Sequence, residues 1–431
     1  MKENKLPQLT GYLVFLFCLV MIAASRGMGE SFAIFLLPLG ESFGWNRASL
    51  SSVYSVHMIC LGIGSLLSGL VFDRFGPRAN YFIGLGLLAI AYGFAASLTT
   101  VSAFYLVIGI CGGFGAALVG IVPAQSLVSR WFVKRRATML SIVYAGQGIG
   151  VMLLAPSIQL VIQATDWQTA YRLAGAGFMI LLVLAIIIPW RRFAAGPRTS
   201  GKTAEGAESG QQEAVSASPS ASVVMVPAAG PGLMEAMRQR PFWGFFTIYA
   251  ASAIAVFLVT LQVVAYLVEQ GFTEVEAAFA FGGMGMLTIL GITITGILAD
   301  LFPRHLVASF SYGLTMIGVI SLALLQWQPS YLLLAVFVVA FGLSAGARGP
   351  IITTQMADIF AGRGLASIFG ATNIGQGCGA ALGAFLAGWL YDLTGGYNTG
   401  FMISALFLLL GLSQFWLVPV IRYGRSAADK P

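Results

Sequence analysis

The chain is a succession of apolar runs, most of them about 20 residues long, separated by short clusters of charge, glycine and proline. A helix of that length crosses roughly 30 Å of hydrocarbon. Twelve such spans are predicted, at 11–36, 49–71, 79–98, 103–127, 138–161, 170–190, 242–267, 278–299, 305–326, 331–356, 365–389 and 398–420. The two-residue alternation of a membrane barrel is absent, so the spans read as helices that satisfy their own backbone groups. The predicted fold is an all-α membrane protein of twelve transmembrane helices in two six-helix bundles.

Composition supports the membrane reading. Only 9% of the residues are charged and 58% are hydrophobic, whereas soluble domains carry roughly 25% charge. The first run, from near Gly11, exceeds an ordinary signal core and contains Arg26 and Glu30, so it is expected to be a retained helix. Cys18, Cys60, Cys111 and Cys378 all fall inside predicted spans. Their scatter points to small membrane-core residues, with no disulfide or metal framework. Gly109, Gly112, Gly113, Gly115 and Gly120 crowd the fourth span, where they suit close helix contact. No strand precedes them as a phosphate cradle would need. No HExxH or ATP-binding motif occurs, so no cofactor, enzymatic activity or ATP-driven pumping is expected.

Charge then sets the orientation. With the N-terminus inside, 19 of the 23 basic residues fall in cytoplasmic segments, among them Arg74, Arg78, Arg130, Arg191, Arg192 and Arg304. The opposite loops hold Arg47, Asp166, Glu269, Glu274, Glu276 and Asp392. The positive-inside rule therefore predicts two cytoplasmic termini. The formal +7 charge reflects topology and contact with anionic lipid, and calls for no nucleic-acid partner.

The stretch 191–240 interrupts the pattern, and from Gly196 to Ser222 it is rich in Gly, Ser, Ala, Glu and Gln. That composition predicts a largely disordered cytoplasmic linker between a first region, 1–190, and a second, 241–431. Gly232 to Arg240 is a candidate short interfacial helix. The two regions repeat each other. Gly69-x-x-x-Asp73 recurs as Gly296-x-x-x-Asp300, and Gly146-Gln147-Gly148 as Gly375-Gln376-Gly377, at offsets of 227 and 229. Gln125 and Gln355, and Trp167 and Tyr397, are paired at 230. An internal duplication of this kind underlies alternating access, in which two related units rock about a fixed site.

The most specific local motif is Gly69-x-x-x-Asp73-Arg74-x-Gly76-Pro77-Arg78. Gly69 permits close helix approach, Gly76 and Pro77 turn the chain, and the charges sit at the membrane surface. With this motif the chain resembles the major facilitator superfamily, whose signature loop joins the second and third helices. The resemblance assigns a gating role to Gly69, Asp73, Arg74, Gly76 and Arg78, with Asp300 left from a degraded second copy. Trp131-Phe-Val-Lys-Arg135-Arg136, Gly146-Gln147-Gly148 and Asp392-Leu-Thr-Gly-Gly-Tyr397 resemble the monocarboxylate porter branch and its bacterial oxalate–formate relatives. That branch commonly carries a substrate-binding arginine in its eighth helix, but 278–299 contains no basic residue.

Candidate site residues follow from intramembrane polarity. Arg26 lies about 22 Å along its helix from Gly11, a depth at which a charge needs a polar cavity or a partner. Glu30 is one turn on and can pair with it; a pair that merely holds helices together is the alternative. Arg348, flanked by Gly346, Gly349 and Pro350, is the first-choice anion ligand because a guanidinium binds a carboxylate bidentately. Snorkelling to the interface competes with that role. His57 and Glu30 are the candidate proton carriers. Tyr144, Gln147, Asn373 and Gln376 are candidate cavity-lining groups, with interhelical hydrogen bonding the alternative.

The resulting expectation is proton symport or exchange of a small organic anion, a monocarboxylate, by a single subunit in the cytoplasmic membrane of a bacterium. Efflux of drug-like compounds by the same fold is the first alternative. A non-transporting membrane sensor or scaffold is the second.

Overall fold

The computed structural model describes residues 5–132, 136–195, 231–360 and 365–423. The long elements are α1 (Lys5–Glu30), α2 (Phe32–Phe43), α3 (Arg47–Ala95), the interrupted span α4 (Val101–Trp131), α5 (Arg136–Ala164) and α6 (Trp167–Ile187). They continue with α7 (Arg240–Thr260), α8 (Val263–Glu269), α9 (Glu274–Leu301), α10 (Arg304–Leu325), α11 (Tyr331–Ala345), α12 (Arg348–Ile359), α13 (Leu365–Thr394) and α14 (Asn398–Leu417). No strand occurs among the described residues. Most of the predicted linker lies outside them, and Leu233–Met237 forms a short helix ahead of α7.

The predicted count of twelve is corrected: nine helices among the described residues are long and apolar enough to cross a membrane. The runs 49–71 and 79–98 are two helices that meet at the non-helical Gly76 (φ +80°) and are counted together as the single span α3. The run 331–356 is broken after Ala345, which leaves α11 only 15 residues long. The run 365–389 lies in α13, whose glycines, Asn373 and Gln376 lower its apolar character, and it is not among the nine. No clear division into two six-helix bundles appears either. Helix α13 packs on both α7 and α3, and α9 packs on both α5 and α11. The extensive contacts therefore run across the predicted boundary as well as within each side of it.

Glycine makes these crossings close. A Cβ at Gly148 of α5 would lie 2.3 Å from the carbonyl oxygen of Gly285 in α9, and one at Gly388 of α13 would lie 2.3 Å from that of Arg47. In lipid, where apolar contact alone gives little drive to associate, such backbone approach is a principal source of packing energy.

Several of the apolar spans are broken within their length. The breaks fall at Ser31, Gly120, Leu261–Gln262 and Gly346–Ala347. Ser31 and Leu261 are 230 positions apart and Gly120 and Gly346 are 226 apart, close to the spacing of the sequence repeat. Broken helices leave backbone polar groups free, which a membrane tolerates only in a protein interior or beside a polar cavity.

The two ends of the molecule differ. One end carries the loops at 44–46, 165–166, 270–273 and 395–397; it is called here the far end, since the first and last described residues lie at the other. At the far end, hydrogen bonds join the chain before 196 to the chain after 230. Gln262 donates to Ser51 Oγ (3.0 Å), Ser55 to the Ala381 carbonyl (2.7 Å) and Gln159 to Glu274 (2.6 Å). Arg47 and Ala48 add others, bonding to Glu269 and Asp392.

Candidate functional site

Helix α1 ends at Glu30 because the chain breaks at Ser31, whose hydroxyl donates back to the Gly27 carbonyl at 2.7 Å. The break leaves two charged side chains, Arg26 and Glu30, stacked one turn apart on the last turns of the helix. Their guanidinium and carboxylate approach to 3.4 Å, and the side chains keep only 15% and 17% of their exposure. Gln147 of α5 completes the cluster. Arg26 Nε donates to its Oε1 at 3.3 Å, and its Nε2 donates to Glu30 Oε1 at 2.8 Å. One amide thus serves both members of an ion pair, so every partner in the triangle is matched in sign. The cluster is neutral overall, which is what a low-dielectric interior requires of buried charge.

His57 of α3 lies close by but is differently occupied. Its Nδ1 is 3.1 Å from the Ile108 carbonyl, which belongs to a π-helical stretch, Tyr105–Gly112. Such π segments are frequent at functional sites. Since a carbonyl only accepts, Nδ1 carries the proton of the neutral ring and Nε2 is left as an acceptor. Nε2 faces Gly29, where a Cβ would come within 3.2 Å. The Tyr54 ring stacks on His57 at 5.8 Å and on Phe32 at 5.8 Å. Beneath them Tyr54, His57, Tyr92 and Tyr171 help line a cavity of about 10 Å³, room for about one water molecule.

Arg348 stands apart. It opens α12 directly after the Gly346–Ala347 break, is 4% exposed, and lies 4.3 Å over the ring of Tyr312 in α10. It donates to Thr315, whose hydroxyl donates to Ser344 Oγ at 2.7 Å, while Arg348 Nε has no partner. None of its recorded partners belongs to the Arg26 cluster, and no carboxylate pairs with it among the described residues.

The other sequence candidates are scattered. Tyr144 accepts from Gln125, a partner the sequence had marked only as part of the repeat. Asn373 and Gln376 are exposed on α13. Asp73, Arg74 and Arg78 are exposed around the Gly76 turn, Arg74 resting over Phe75 at 5.5 Å and Arg78 over Phe82 at 5.4 Å. Gly69 has open space where a Cβ would sit. The side chain of Asp300 lies outside the described residues, as do Lys134 and Arg135. Sequence reasoning missed the π-helical carbonyl and the Thr315–Ser344 pair, which no local pattern marks.

Comparison with known proteins places this geometry. The Major Facilitator Superfamily model matches residues 15–331 and 271–430. Monocarboxylate transporter 13 of Bos taurus is 24% identical over 421 residues, covering 98% of this chain and 92% of its own. Human monocarboxylate transporter 12 is 25% identical over 437 residues, covering 96% and 80%. Among solved structures, a variant of the nucleoside transporter NupG superimposes with a TM-score of 0.72 at 14% identity, covering 95% of this chain and all of that one. A bacterial homologue of the human lysosomal transporter Spinster, inward-facing and unoccupied, gives 0.63 at 13% identity, with 96% and 95% covered. At such identities the structures establish fold alone, whereas the family model spans nearly the whole sequence. The chain belongs to the Major Facilitator Superfamily, as a multi-pass membrane protein for secondary transport and not an enzyme.

Proposed function

We propose that the protein carries a small organic anion, a monocarboxylate, in symport with a proton, and that the Arg26–Glu30–Gln147 cluster is where the two meet. The observation that carries this reading is the neutral, largely buried triangle at a helix break. With Glu30 ionised, its carboxylate occupies the guanidinium of Arg26. A proton on Glu30 frees that guanidinium, and the carboxylate of the substrate takes its place. The summed charge is the same before and after, so the loaded site crosses the low-dielectric region without a new Born penalty. Gln147 can turn its amide to serve either state. The names of the relatives, monocarboxylate transporters 12 and 13, support the substrate class.

Glu30 is favoured over His57 as the proton carrier because His57 Nδ1 is committed to Ile108. Arg348 is assigned no substrate contact, since Tyr312 and Thr315 hold its guanidinium. By the charge asymmetry of the loops, the near end and both termini face the cytoplasm, in a bacterial inner membrane. Gly69, Asp73, Arg74, Gly76 and Arg78 are proposed to gate that end.

The test is uptake into liposomes of labelled lactate, pyruvate, formate and oxalate, with and without an inward proton gradient. One acid should accumulate in proportion to the gradient, and Arg26→Gln should abolish that accumulation. Uptake needing a different anion preloaded inside would instead indicate exchange. Failure of folded protein to move any acid, or normal kinetics in Arg26→Gln, would overturn the proposal.

A further inference from the structure

The motif Asp392-Leu-Thr-Gly-Gly-Tyr397 has no part in the Arg26 cluster. It lies at the far end, beyond the site, and its residues meet the opposite side of the chain. The two oxygens of Asp392 accept the first backbone N–H groups of α3, from Arg47 at 3.0 Å and Ala48 at 2.7 Å. A carboxylate there both caps the free donors and meets the positive end of the helix dipole. The side chain of Arg47 reaches Glu269 at 2.9 Å and lies 5.2 Å over the ring of Tyr391. Tyr397 donates to the same Glu269 at 2.8 Å, and Tyr391 at 3.2 Å. Gly395, at φ +69°, makes the turn that brings Asp392 and Tyr397 to one face.

We propose that Arg47, Glu269, Asp392 and Tyr397 form a latch that closes the far end of the transport path and must open in every cycle. Three features distinguish it from ordinary loop packing. The bonds from Arg47 and Ala48 to Glu269 and Asp392 join segments more than 200 positions apart, so the latch acts between parts of the molecule that must separate for the far end to admit substrate. Gly388 lets α13 approach so closely that a Cβ would meet the Arg47 carbonyl at 2.3 Å, so closure depends on a missing side chain. The closed face is also imperfectly satisfied: Arg47 Nη1 and Gln262 Oε1 are buried there without a partner. Unmatched polar atoms weaken the closed form, as befits a contact that has to break. Glu269 is the hub, since it receives one guanidinium and two hydroxyls. The latch is independent of which acid is carried and of which membrane face the far end occupies.

The experiment is double electron–electron resonance in nanodiscs, with spin labels at Ser97→Cys and Gln328→Cys in two further loops of the far end, 96–100 and 326–330, and the four native cysteines replaced. In the otherwise unaltered protein the shorter, closed distance should dominate. Glu269→Gln keeps the shape of the side chain but removes its charge, and should raise the ratio of open to closed populations about tenfold, equivalent to about 1.4 kcal/mol. Tyr397→Phe removes one hydroxyl and should raise it about threefold, equivalent to about 0.65 kcal/mol. Gly388→Val should open the far end by steric means with the ion pair intact in sequence. Distance distributions for Glu269→Gln and Gly388→Val that superimpose on the parent would overturn the latch. No substrate enters the measurement, so its outcome is separate from that of the uptake assay.

Discussion

Replacing Glu30 by Gln tests the coupling at its centre. Glutamine has nearly the shape of a protonated glutamic acid, so the variant is fixed in the state that the mechanism assigns to the proton-loaded carrier. The guanidinium and carboxylate are 3.4 Å apart, which gives a gross attraction of about 5 kcal/mol at an effective dielectric of about 20. Both side chains keep some exposure, and Gln147 compensates each, so less than half of that is net. With about 2 kcal/mol no longer spent on displacing the carboxylate, anion affinity at neutral pH should rise about thirtyfold. The parent protein should also lose about tenfold in affinity per pH unit wherever Glu30 is ionised in the empty site, because one proton is taken up per anion. In Glu30→Gln that slope should be flat. The assay is equilibrium binding of the transported acid to detergent-solubilised protein across pH, paired with counterflow in liposomes. Counterflow should survive while gradient-driven accumulation disappears. A variant that keeps the pH slope, or still concentrates substrate against a gradient, would refute the assignment of the proton to Glu30.

Other outcomes follow from the same geometry. His57→Gln should retain gradient-driven accumulation, and its loss in well-folded protein would move the proton site to the histidine. Gln147→Leu strips two hydrogen bonds from the ion pair and should destabilise the protein by about 1–3 kcal/mol, read as a lower melting temperature in detergent. Gly148→Val forces a side chain into the Gly285 backbone and should cost about 1–3 kcal/mol or more in overpacking, with transport lost; normal uptake would show that α5 and α9 can part there freely. Arg348→Gln should leave substrate affinity unchanged while lowering thermal stability, and a selective loss of affinity would restore Arg348 as an anion ligand.

Much of the site was legible because its first pair is local. Arg26 and Glu30 are one helical turn apart, and depth along an apolar run marks both as unusual. Gln147 stood out through the repeat, but its place between the two charges depends on the packing of α5 against α1. Arg348 was equally conspicuous in sequence, yet its direction, over Tyr312 and toward Thr315, is decided by where α10 lies. The role of His57 turns on a π-helical carbonyl 51 positions away, for which no sequence signal exists.

The sequence by itself determined that the chain lives in a membrane as helices, that its basic residues favour one side, and that it repeats internally. Hydropathy, loop charge and spacing are local, additive quantities, readable one window at a time. Tertiary structure alone decided which runs are continuous and which are broken, so that among the described residues nine helices are long and apolar enough to span where twelve spans were predicted. It also decided that α13 and α9 pack across the predicted boundary, and that the far end is closed by Arg47, Glu269 and Asp392. Lipid is as apolar as the helices it surrounds, so the choice of neighbours falls to glycine contacts and single hydrogen bonds between distant residues. Those pairings leave almost no trace in any one stretch of the chain.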